Sequence, residues 1–189
     1  MRAAALVVIL ALVGCERDPI DGCPDLAEGD LVVTEVRGPQ SPDDMQGPWI
    51  ELFNASSQTH DLIGAKIRFR RKDGSSEVPV LVRRALTIAP GEYLVLGLFF
   101  DAEPLQPRPD HVDYGFLGDF DGAWLAAAAI DLETCGQRVD LATYDVLPGT
   151  GTYSLGTSPP DAETNNLSTS WCFDPNPAGT PGAANTACP

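Results

Sequence analysis

The side chains most concentrated by type are basic. Lys66, Arg68, Arg70, Arg71, Lys72, Arg83 and Arg84 fall in one stretch whose only acids are Asp73 and Glu77, a local charge of +5 in a chain of formal net charge −15. Such a strip suits an anionic partner: a lipid headgroup, an acidic polysaccharide, or an acidic patch on another protein. Lys66, Arg68, Arg70, Arg83 and Arg84 are therefore the candidate binding residues. The plainer role for the same residues is a charged sheet edge that blocks edge-to-edge pairing and balances nearby carboxylates. Nucleic acid is not expected as a partner, because nonspecific binding needs a basic surface.

The acids and the imidazoles offer less. Asp43-Asp44, Asp101 with Glu103, and Asp119-Phe120-Asp121-Gly122 are short acidic groups. Calcium takes several oxygen ligands from one loop, and Asp119-x-Asp121 lacks the later Glu of an EF-hand, so a solvated turn is expected there. His60 and His111 each sit beside an aspartate in a loop context, and no Gly-x-Ser-x-Gly is present. Carboxylates are plentiful enough for a glycosidase-like pair, yet nothing singles one out. The reading is no catalytic residue, no metal and no cofactor. Trp49 and Trp171 read as buried core tryptophans rather than ligand platforms.

Five cysteines divide by position. Arg2, then an unbroken apolar run from Ala3 to Val13, then Gly14-Cys15, resembles the bacterial lipoprotein signal. The apolar run is too short to cross a bilayer as a helix and suits a signal-peptide core. On that reading residues 1–14 are removed, Cys15 carries the lipid that ties the protein to a membrane, and 15–28 is a linker. The expected location is the bacterial cell envelope, facing the periplasm or the surface. Cys23, Cys135, Cys172 and Cys188 remain, an even number in a chain expected to be exported, so two disulfides are expected. No C-x-x-C occurs, which removes zinc and redox pairs. Three pairings are possible; the one preferred from sequence is Cys135–Cys172 with Cys23–Cys188, tying the two ends of the domain together.

The elements that must carry these residues are short and β-rich. The chain has 189 residues, 43% hydrophobic, with 18 Gly and 17 Pro, which predicts one domain with frequent turns and few long helices. Strands are expected at Leu31–Val36, Trp49–Phe53, Ile63–Arg70, Tyr93–Phe100, Arg138–Val146 and Thr152–Leu155. Trp124–Leu132 contains four alanines that favour helix, but its brevity between turn signals assigns it to strand. Ile63, Ala65, Ile67 and Phe69 alternate with Gly64, Lys66, Arg68 and Arg70, giving one dry and one wet face. Asp73-Gly74 marks a hairpin whose register sets Phe69 opposite Val78, Ile67 opposite Val80 and Arg70 opposite Glu77. Pro79 makes the returning strand an edge. Seven to nine short strands with dense turns indicate an all-β sandwich.

The order of these pieces is similar to a known family. Leu31-Val-Val-Thr-Glu-Val36, Trp49-Ile-Glu-Leu-Phe-Asn54, Asp61-Leu-Ile-Gly64, Ile88-Ala-Pro-Gly-Glu-Tyr-Leu-Val95, Arg138-Val-Asp140 and Gly179-Thr-Pro-Gly-Ala-Ala-Asn185 follow one another as in the lamin tail domain. The resemblance covers about residues 29–185 and implies an immunoglobulin-like β-sandwich over 29–189. It also implies a noncatalytic binding or scaffold module, here lipid-anchored, with an envelope protein or an anionic glycan as partner. Two alternatives accompany it: an accessory subunit of an envelope hydrolase, and a self-associating structural surface protein.

Overall fold

The computed structural model describes residues 22–102 and 108–189. The expected signal, Cys15 as the expected lipid site and the first part of the expected linker lie outside the described residues, as does Glu103.

Twelve strands dominate the described residues. β1 (Leu31–Arg37), β2 (Trp49–Asn54), β7 (Tyr93–Gly97), β8 (Tyr114–Gly115), β11 (Thr152–Leu155) and β12 (Trp171–Asp174) form a sheet in the order β12-β11-β1-β2-β7-β8. β4 (Lys66–Arg70), β5 (Val78–Leu81), β9 (Ala128–Thr134) and β10 (Gln137–Tyr144) form a second, in the order β10-β9-β4-β5. β3 (His60–Asp61) and β6 (Thr87–Ile88) make a small third pair. The one α-helix among the described residues, α1 (Ala162–Asn165), is four residues long and capped by Asp161. The protein is therefore an all-β, sandwich-like fold. One continuous core joins the sheets, with Val33, Leu52 and Leu96 from the first and Ile67, Val80 and Ile130 from the second.

The β4–β5 hairpin has the expected register, Ile67 opposite Val80 and Phe69 opposite Val78, with β5 at the sheet edge. Its tip is wider than a two-residue turn: the Arg71 amide donates to the Ser75 carbonyl, and Ser76 adopts a φ of 55° to re-enter the strand. The alanine segment is strand only from Ala128 onward. Strand β12 and the short β3 and β8 were not expected from sequence. Each is two to four residues long and has no run in which a period can show.

A β-bulge in β1 positions the carboxylates described below. Val33 faces Leu52, but Glu35 faces Glu51, so Thr34 is the extra residue. The bulge turns Glu35 onto the face that carries Glu51. That outer face is also dry, with Trp49, Val95 and Val112 forming a second apolar cluster on it.

The chain ends close onto this framework. Residues 22–28, expected to be linker, are docked: Leu26 is buried in the core, Gly29 N–H donates to Val139, and Thr134 Oγ1 donates to Pro24. The disulfides are Cys23–Cys135 and Cys172–Cys188, with Cα separations of 5.6 and 5.7 Å. This corrects the pairing preferred from sequence, Cys135–Cys172 with Cys23–Cys188. Cys135 occupies the β9–β10 turn beside the incoming N-terminal segment, whereas Cys172 lies on β12, against which the C-terminal segment returns.

Candidate functional site

The five candidate cations divide into two groups. Lys66, Arg68 and Arg70 share the outward face of β4, where β9 runs beside them with Glu133 opposite Lys66 and Asp131 opposite Arg68. Arg70 grips Asp131 through two bonds of 2.5 and 3.0 Å. Arg68 bonds Glu133 and reaches Glu77 at 3.3 Å, and Lys66 stands 3.8 Å from Glu133. Glu77 thus serves Arg68, not the Arg70 that the hairpin register alone placed opposite it. Arg83 and Arg84 lie beyond β5 around a separate hollow of about 360 Å³. Arg83 bonds Asp119 at 2.8 and 2.9 Å, and Arg84 holds Asp101 at 2.6 and 3.0 Å. All five guanidinium or ammonium groups therefore face carboxylates of the same chain. The hydrogen bond to Asp131 raises the Arg70 pKa above its ordinary value, as the bond to Asp101 does for Arg84.

The acidic groups considered for calcium meet arginines. Asp44 is bonded by Arg37, Asp101 by Arg84 and Arg108, and Asp119 by Arg83. Among the described residues, no set of three or more His, Cys, Asp or Glu side chains is placed to hold a metal ion. His60 is not in a loop: it lies in β3, buried, with Ser56 Oγ 2.8 Å from Nε2. His111 is half-buried, and burial pushes its pKa down. Trp49 and Trp171 are buried, the latter donating from Nε1 to the Asn165 carbonyl at 2.7 Å.

The most unusual chemistry was not picked out from sequence. Glu35 and Glu51 are fully buried cross-strand neighbours. Glu35 accepts from Thr152 Oγ1, from Ser154 Oγ at 3.0 Å and from Thr180 Oγ1 at 3.0 Å, and the Thr180 amide lies 3.2 Å from Oε2. Glu51 faces Thr34 Oγ1 at 2.8 Å and accepts from the Gly182 amide at 2.7 Å. Asn185 completes the attachment, donating to Thr34 and Leu155 carbonyls at 2.8 and 3.1 Å. The Gly-Thr-Pro-Gly-x-x-Asn segment is thus a cover bolted over two carboxylates. Gly179, at φ +69°, packs so closely that a Cβ would come within 2.7 Å of Glu35 Oε1.

Loss of solvation raises both pKa values. For Glu51 burial comes first and the Glu35 charge second, and its pKa is pushed up to about 8. Glu35 is raised by burial against the pull of its hydroxyl donors. A second buried node lies at Asp140, which accepts from the Val33 amide at 2.7 Å and Asn165 Nδ2 at 2.6 Å and is pushed up to about 6, chiefly by burial. The available signal was a glutamate in the middle of two otherwise apolar strands, which an ordinary edge or half-wet strand would also show.

Comparison with protein-family models and with curated proteins finds no match for this sequence.

The chemical capacity of these groups follows from their access. The carboxylate pair is closed off beneath the C-terminal cover and engaged by donors from three segments, β1, β11 and the cover, so it anchors chain rather than meets solutes. The cationic ladder is locally neutralised. What remains, in a chain with 27 Asp and Glu against 12 Lys and Arg, is a strong excess of carboxylate charge.

Proposed function

We propose that this chain is an exported, noncatalytic binding module of the lamin tail type, held at the bacterial envelope by lipid on Cys15 and engaging an envelope protein. The observation that carries the proposal is the convergence of the segments on which the lamin-tail resemblance rests. Thr34-Glu35-Val36, Trp49-Ile-Glu51 and Gly179-Thr-Pro-Gly-x-x-Asn185 meet at one buried carboxylate node, and Arg138-Val-Asp140 joins Val33 at another. Asn54 of the second segment meets the Pro90-Gly91 turn, since Gly91 N–H donates to its carbonyl at 2.9 Å. Segments that serve one hydrogen-bonded frame are expected to occur together and in order, which supports the immunoglobulin-like sandwich reading. The perturbed carboxylates are engaged in that frame, which supports a noncatalytic role. Two disulfides support an oxidising compartment.

Between the two kinds of partner, the ion pairs favour protein over anionic glycan. A polyanion at Lys66, Arg68, Arg70, Arg83 and Arg84 has to displace carboxylates already held at close range. The test is photo-crosslinking in intact cells from several surface positions of the full chain, beside a Cys15→Ser form. One discrete envelope protein is expected, lost with Cys15→Ser. Crosslinks only between copies of the chain, or none from any position, overturn the proposal.

A further inference from the structure

The end of the sandwich remote from the N-terminal segment carries a groove that the frame above does not use. β1 begins beside the docked residues 22–30 and ends at Arg37, six residues on and about 20 Å away. At that far end two adjoining hollows, about 810 and 480 Å³, share Asp44, Gln46 and Ala178. Both lie in the size range of preformed sites.

The groove walls are fixed. Arg37, 2% exposed, bonds Asp44 at 2.5 and 2.9 Å, Gly47 at 2.6 Å and the Pro177 carbonyl at 3.1 and 3.2 Å. One buried guanidinium thereby joins the 38–48 loop to the 176–178 loop. Arg108 secures the opposite wall through Asp101 and the Val112 carbonyl. A rigid wall lowers the ordering cost of binding.

Its chemistry is apolar with an acidic rim. Met45 is 84% exposed, although its neighbours on the loop are pinned, and it faces the same hollow as Phe99, Pro109 and Pro181. An exposed methionine in an apolar hollow is an adaptable contact for a partner side chain. Asp43 and Asp110 are exposed on the rim and in no ion pair among the described residues, while the two arginines here, Arg37 and Arg108, point inward to Asp44 and Asp101.

We infer that this groove docks a basic, extended segment of a partner protein, with an apolar side chain against Met45 and Phe99 and flanking Lys or Arg over Asp43 and Asp110. The inference rests on the binding-module reading and names its surface.

The test uses the full chain in detergent and three labelled heptapeptides, Ala-Ala-Lys-Leu-Lys-Ala-Ala and its Lys-Ser-Lys and Glu-Leu-Glu counterparts, followed by fluorescence anisotropy. The Lys-Leu-Lys peptide is expected to bind, the Lys-Ser-Lys peptide about tenfold more weakly, and the Glu-Leu-Glu peptide not at all. Met45→Ser, a change at an exposed position, costs about tenfold, and Asp43→Lys with Asp110→Lys abolishes binding. Asp25→Lys with Glu28→Lys, the same charge change at the other end, leaves affinity within about twofold.

Equal loss in that control, equal binding of the Lys-Leu-Lys and Lys-Ser-Lys peptides, or no binding of any peptide overturns the inference. So does self-association of the wild type that Met45→Ser removes, which assigns the groove to a second copy. An envelope crosslink that survives both groove variants leaves the module reading standing with its surface elsewhere. Absence of every crosslink in the wild type defeats the module reading itself.

Discussion

Raising the pH should loosen this protein over a window set by Glu51. The group titrates near its ordinary value of 4.5 when unfolded and at about 8 when folded. The folded state therefore holds a proton that the unfolded state has released. The stability associated with that proton is fully present below pH 4.5 and is lost as pH rises through 8, at about 1.4 kcal/mol per pH unit inside the window. From pH 6 to 8 the loss is about 2–3 kcal/mol, and the whole window spans at most about 5 kcal/mol. Glu35 is shifted in the same direction and adds to the slope. Asp140, at about 6, acts only below that pH. Glu51→Gln mimics the protonated form: its carbonyl can accept from Gly182 N–H, and its amide can donate to Thr34 Oγ1, whose own hydroxyl lies 3.4 Å from the Glu51 carbonyl. The assay is urea unfolding of the oxidised chain at half-unit steps from pH 5.5 to 9. Glu51→Gln should lie within about 1 kcal/mol of wild type at pH 5.5 and exceed it by about 3 kcal/mol at pH 9. Parallel pH profiles for the two proteins would refute the assignment of the buried proton to this carboxyl.

Two further outcomes follow from the same geometry. Replacing Cys23 and Cys135 by serine opens a loop of 112 residues and should cost about 4.7 kcal/mol, against about 3 kcal/mol for the 16-residue loop closed by Cys172 and Cys188. Peptide mapping without reduction checks the pairing directly, and a Cys135–Cys172 peptide contradicts it. Arg70→Met strands Asp131, 4% exposed at its side chain, and should cost about 3 kcal/mol in urea unfolding, with most of it recovered when Asp131→Leu is added.

The parts of the fold legible in the sequence were those governed by short-range rules. Alternation through Ile67 and Phe69, one Asp-Gly pair and one proline were enough for a hairpin register and an edge strand. The bulge at Thr34 had no such signal. Period-2 counting sets Val33 and Glu35 on one face, whereas the extra residue sends Glu35 to the face of Glu51. The dry outer face was hidden for a related reason, because its cover arrives from residues 176–185, more than a hundred positions later. The cationic strip was visible as composition, but the carboxylates on β9 that neutralise Lys66, Arg68 and Arg70 lie in or next to the segment whose secondary structure was the hardest to assign, and those of Arg83 and Arg84 lie in separate loops.

That distribution bears on why the molecule buries two like charges side by side. Directly opposed carboxylates in a sheet are unfavourable, and burial adds a further cost. An apolar pair at 35 and 51 would remove both, but it would leave the Thr180 and Gly182 amides without acceptors under the cover. The carboxylates serve as acceptors at the one place where an irregular, proline-containing segment has to be held flat against a sheet. Proton uptake by Glu51 relieves the repulsion while Oε2 continues to accept from Gly182. The C-terminal cover is then fixed twice, by this node and by the Cys172–Cys188 bond, and it carries one wall of the groove at Ala178 and Pro181. The buried pair thereby acts on the surface: weakening it should be felt at the far end of the sandwich before the core between the sheets is disturbed, because the cover that it holds down also lines the groove.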